Sequence, residues 1–116
     1  MSPIPPSTAN EVAWSKWLAE YMGGVAEYML PCKSRVDILT PCLAIEVDWV
    51  KKWPEAVGQC VYYGVETERQ PAILLLLKGL KSDRKYLNRC KEVAAKLNIA
   101  VFTWDTTLGD KQNEKK

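Results

Sequence analysis

Between residues 25 and 49, apolar and polar positions alternate in short bursts, each closed by a proline-containing turn. Val25–Leu30, Arg35–Thr40 and Leu43–Trp49 read as three strands, separated by Pro31-Cys32-Lys33-Ser34 and Pro41-Cys42. Connections this short predict an antiparallel meander. Upstream, Thr8-Ala9-Asn10-Glu11 has the spacing of a capping box with Thr8 as N-cap. Trp14, Trp17, Leu18 and Tyr21 then recur at helical period until Gly23-Gly24. Downstream, Pro54 is tolerated only in a first helical turn, which predicts a helix from Lys51–Trp53 to Thr67. Pro71 breaks the chain, and Ala72–Leu77 is an unbroken apolar run suited to a strand covered on both faces. A helix capped by Ser82 or Asp83 carries an apolar stripe through Tyr86, Leu87, Cys90, Val93, Ala94 and Leu97, and Ala100–Trp104 is a final strand.

The order α-β-β-β-α-β-α-β predicts an α/β fold in which helices cover both sides of a mixed sheet. The chain has 116 residues, enough for one core, so residues 10–107 are expected as a single domain. Residues 1–9 read as a flexible arm and residues 108–116 as a disordered tail. No internal repeat is present.

Composition changes this picture in one respect: there is no histidine. That excludes His-based general bases, Cys–His nucleophiles and His-containing zinc sites. Acid–base work falls to carboxylates, lysine, tyrosine or metal-bound water. The four cysteines lack CxxC spacing, against a zinc knuckle; Cys32 and Cys42 have spacing that allows a disulfide, but reduced thiols are expected. No apolar run is long enough to cross a bilayer, and residues 1–9 lack the pattern of a signal peptide, so an intracellular, cytoplasmic protein without a membrane partner is expected. The net charge of +2 makes no claim for nucleic acid by itself.

The chemistry lies where the alternation carries acids. Arg35 and Asp37 share one strand face, as do Ala44, Glu46 and Asp48; Val36, Ile38, Ile45 and Val47 take the opposite face. Strand pairing brings Asp37 close to Glu46, an arrangement that costs stability unless a cation or a shared proton offsets it. A solvated sheet face would explain such residues blandly, but a helix follows at once and covers the sheet. That helix opens with Lys51 and Lys52 against its own dipole, which a nearby carboxylate cluster or an anionic substrate makes favourable. Glu55, Gln59, Tyr62 and Glu66 fall on one helix face and Val57, Cys60, Val61 and Gly64 on another, with Gly58 expected to admit a close neighbour. Tyr62 and Tyr63 read as packing. Lys81, Arg84, Lys85, Arg89, Lys91 and Lys96 make the last helix region basic, a solvated face first and a phosphate-contacting surface second. Phosphodiester hydrolysis needs an activated water and neutralised phosphate charge, which magnesium held by carboxylates supplies. Asp37 and Glu46 are placed as ligands, and Asp48 as a third or as partner of the lysine.

The segments Arg35-Val36-Asp37, Ile45-Glu46-Val47-Asp48, Lys52-Trp53, Glu55-Ala56, Gly58-Gln59 and Tyr62-Tyr63, with this element order, resemble small stand-alone members of the PD-(D/E)XK nuclease superfamily. The resemblance covers Val25 to Leu77 and implies a restriction-endonuclease-like core. Val36 stands where that family usually has proline, and Asp48 where it has lysine; Lys52 is the best match for a migrated lysine and Lys51 the second. The family's acid on the first helix corresponds to Glu11 or Glu20, with Glu27 on the first strand as a third candidate. Glu55, Gln59 and Arg35 are expected to support the site or touch substrate. The implied activity is a magnesium-dependent endonuclease, manganese substituting, acting on DNA with branched or flapped forms in view, RNA left open, and a homodimer as the working unit. The alternative is a nuclease-fold module that no longer cuts and acts by binding nucleic acid or protein. A purely structural domain leaves the acidic strands unexplained.

Overall fold

A computed structural model describes residues 1–110. Its elements are α1 (Glu11–Met22), β1 (Val25–Met29), β2 (Arg35–Leu39), β3 (Leu43–Trp49), α2 (Trp53–Thr67), β4 (Gln70–Leu77), α3 (Asp83–Leu97) and β5 (Ala100–Asp105), with one 3-10 turn at Val50–Lys52. The expected α-β-β-β-α-β-α-β order is the observed one. The strands form one sheet in the order β1-β2-β3-β4-β5. β1, β2 and β3 pair antiparallel, and β3, β4 and β5 pair parallel through the crossover helices α2 and α3.

The sheet is packed on both sides. On one side Trp14, Leu18 and Ala19 of α1 meet Ile38, Ile45, Val47, Leu74 and Leu76. On the other, Ala56 and Cys60 of α2 and Cys90 and Ala94 of α3 meet Ile73 and Leu75. Every second residue of β4 thus enters one core and the rest enter the other, which is why Ala72–Leu77 shows no alternation. No described helix is long and apolar enough to cross a membrane.

Several local expectations are corrected. The N-cap of α1 is Asn10, not Thr8: its side chain accepts from the Ala13 N–H at 2.9 Å. Pro71 does not break the chain but sits second in β4, opposite Ala44, near the strand start where a missing N–H is tolerated. A Cβ placed on Gly58 would meet nothing within 4 Å, whereas Gly64 is the close approach, where a Cβ would lie 3.1 Å from the Arg69 carbonyl oxygen and 3.2 Å from Pro71. Val36 does not share a core with Ile38; it packs with Leu30, Leu39, Ala44 and Tyr63. The four cysteines are free thiols.

Residues 1–9 lie against the domain. The Ser2 N–H and hydroxyl donate to Glu20, both at 3.1 Å, the Trp17 indole donates to the Ser2 carbonyl, and Ile4 packs on the α1-side core. The expected disordered tail falls mainly on residues 111–116, outside the described residues.

Candidate active site

The site forms where the antiparallel half of the sheet meets the parallel half. β2 and β3 pair through Ile38↔Ile45 and Leu39↔Ala44. One step further along that register Asp37 faces Glu46, and there the backbone ladder gives way to a side chain: Asp37 Oδ2 accepts from the Val47 N–H at 2.8 Å. On the outer side, the pairs Ala26↔Ile38 and Tyr28↔Val36 bracket Glu27 and Asp37. Glu27 holds φ +56, a left-handed conformation costly for a side-chain-bearing residue, and its carboxylate pairs with Arg35 at 3.6 Å.

Glu46 is only 6% exposed and Asp48 only 7%, although both are carboxylates. Burial pushes the Glu46 carboxyl up to about 10, reinforced by Asp37 and Asp48. Burial raises Asp37 to about 6 against the opposing Val47 hydrogen bond and the bond it shares with Glu46. Both carboxyls are therefore harder to ionise than ordinary ones, Glu46 more so than Asp37. Gln59 completes this arrangement. With its amide nitrogen turned to the carboxyl, it donates to the two Glu46 oxygens at 2.6 and 3.2 Å. The same carboxyl, after burial, pushes up the Cys60 thiol to about 12 and raises the Tyr63 hydroxyl.

Asp48 lies two residues further along β3. Burial raises it to about 6, opposed by its bond to the Trp49 N–H at 2.8 Å; Glu11 and Glu55 raise it further and Lys52 lowers it. Lys52 Nζ is 3.8 Å from Glu11 Oε1, so the start of α1, the end of β3 and the entry to α2 converge. The 3-10 turn separates the two lysines: Lys52 joins this acidic group, while Lys51 lines a cavity with Lys78, Ser82 and Tyr86 on the α3 side. Glu20 is not brought to the site; it is held by Ser2 at the far end of α1.

Asp37, Glu46, Asp48, Lys52, Glu11, Glu27 and Glu55 therefore surround one sheet end, with Gln59 beneath. Among the described residues no group of three or more Asp, Glu or Cys side chains has the geometry to hold a metal ion. What exists is a two-carboxylate donor set, Asp37 and Glu46, rich in hard oxygen and poor in compensating charge. Two carboxylates suit a magnesium-type ion, which keeps several waters and uses one or two protein carboxylates. Gln59, expected to support the site or touch substrate, makes that contact with Glu46. Comparison with protein-family models, curated proteins and solved structures gives no match.

Proposed function

We propose that this protein is a divalent-metal-dependent endonuclease that hydrolyses DNA phosphodiester bonds, on a restriction-endonuclease-like arrangement of its sheet. The observation that carries the reading is the Asp37–Glu46 pair, a half-buried and a buried carboxyl in hydrogen-bond contact, neither of them ion-paired with a described lysine or arginine. Such a pair is costly to bury, and a divalent ion is the partner that offsets the cost. Asp37 and Glu46 would hold magnesium or manganese, with Asp48 flanking. The ion supplies neutralisation of phosphate charge and a more acidic water.

The remaining roles belong to the chain. Gln59 fixes the orientation of Glu46 by donating to its oxygens. Lys52, exposed at the helix entry and paired with Glu11, has the reach to orient the attacking water or to stabilise charge on the phosphate. Glu11 keeps that ammonium in place by charge. A chain this small presents little surface to a duplex, and a homodimer would offer two sites to two strands.

A second reading, a nuclease-fold module that binds without cutting, is favoured by Asp48 standing two residues after Glu46, and by Lys52 being engaged with Glu11. The two readings separate on incubation of linear, flapped and four-way-junction DNA with magnesium, manganese or EDTA. The nuclease reading expects metal-dependent cutting that Glu46→Ala and Asp37→Ala abolish and that Lys52→Ala lowers by roughly 100-fold. Binding without cutting by the wild type supports the second reading. Wild-type rates in the Glu46 variant sink the site.

A further inference from the structure

The C-terminal ends of β3 and β4 and the start of α3 carry lysines that the proposed chemistry does not use. Lys78 Nζ sits over the Trp49 ring, 5.0 Å from its centroid, and Lys85 Nζ over the Tyr86 ring at the same distance. Lys51, Lys78 and Tyr86 line one cavity of about 220 Å³. Trp49 and Lys78 also line a neighbouring groove of about 580 Å³, with Asn10 and Thr107. Trp49 directly follows Asp48 in β3 but faces the α1-side core, so this row of lysines meets the end of β3 on the face opposite Asp48. The ion pairs among the described residues, Arg35–Glu27 and Lys52–Glu11, do not involve Lys51, Lys78, Lys81 or Lys85. The one acid in the cavity wall, Asp83, is already committed: its Oδ2 accepts from the N–H groups of Lys78 at 3.0 Å and Leu80 at 3.1 Å.

We propose that this row is a sequence-independent seat for the phosphates of a nucleic-acid strand at the C-terminal end of the parallel strands; the inference rests on reading the Asp37–Glu46 site as one that faces nucleic acid. The chemistry selects phosphates rather than bases. Both ring faces are covered by ammonium groups, so they hold the lysines in place instead of stacking on a base. Lysine is a point charge without arginine's planar fork, suited to a backbone and unsuited to bidentate base readout.

The test is fluorescence-anisotropy binding of wild type in EDTA to labelled single-stranded and duplex DNA, across about 50 to 200 mM salt. Lys78→Ala/Lys85→Ala is compared with Lys16→Ala/Lys96→Ala, which removes the same charge from exposed helix positions elsewhere. The row variant should lower the slope of log K against log salt by about 1.8 on duplex or about 1.4 on single strands. The control should keep the wild-type slope. The strand form whose slope responds identifies the seated ligand. Should the alanine pair melt early, Lys78→Gln/Lys85→Gln repeats the comparison. Equal slopes in the two double variants, or no binding by wild type, overturn the proposal. Equal slopes in a protein that cuts DNA leave the nuclease reading standing, whereas a shifted slope in a protein that never cuts removes that reading and keeps the seat.

Discussion

Replacing Glu46 by glutamine should make the metal-free protein more stable at neutral pH. The folded Glu46 carboxyl titrates at about 10 against an ordinary 4.5, so the folded state holds this proton more tightly than the unfolded chain. Its stabilisation is complete below about 4.5 and is lost as pH rises towards about 10. At pH 7.5 about three pH units have been traversed, which at about 1.4 kcal/mol each is a loss of about 4 kcal/mol. Glutamine reproduces the protonated form. Its amide nitrogen can donate to Asp37, its oxygen can accept from Gln59, and it never ionises. Urea unfolding in EDTA at pH 5, 7 and 9 measures the effect. Wild type should lose stability steadily across that range, while the variant should change little above the region where Asp37 and Asp48 titrate, near 6. Magnesium should then stabilise wild type at pH 7 and not the variant. A variant less stable than wild type at pH 7, or parallel pH profiles for the two, would refute the burial argument.

Other outcomes follow from the same geometry. Gln59→Ala removes the donor to the buried Glu46 carboxyl and should weaken metal binding and cleavage by about tenfold and cost about 1–3 kcal/mol of stability; isothermal titration with manganese and a urea melt check this. Gly64→Ala should destabilise by about 1–3 kcal/mol, because its Cβ meets the Arg69 carbonyl and Pro71. Gly58→Ala, in open space on the same helix, should stabilise by up to about 1 kcal/mol, and thermal melts of the pair read both signs.

The sheet was legible because its strands announce themselves in three different ways. β3 is bounded by the Pro41-Cys42 turn before it and by the helix start that Pro54 marks after it; β4 is apolar throughout; β5 follows a periodic helix. The Asp37–Glu46 encounter was legible for the same reason, since a tight turn at Pro41-Cys42 leaves one register for β2 on β3. What a strand pattern does not encode is how a carboxylate may replace a ladder acceptor. Asp37 takes the Val47 N–H, and Val36 packs towards Tyr63 instead of with Ile38, against simple alternation. Nor does helical period assign the two lysines, because a 3-10 turn carries Lys51 and Lys52 before α2 begins and sends them to different sides. Gly58 and Gly64 are equivalent as residues, and only the path of the chain from Arg69 to Pro71 makes the second one indispensable.

A divalent cation bound between Asp37 and Glu46 would displace the proton those carboxyls otherwise retain. Calorimetric titration of wild type and Glu46→Ala with manganese, in two buffers of different ionisation enthalpy at about pH 7.5, measures the cation and the proton together. The account predicts saturable binding with release of about one proton per ion in wild type, and no such binding in the variant. Wild type without saturable binding, or a variant that binds equally well, would contradict it.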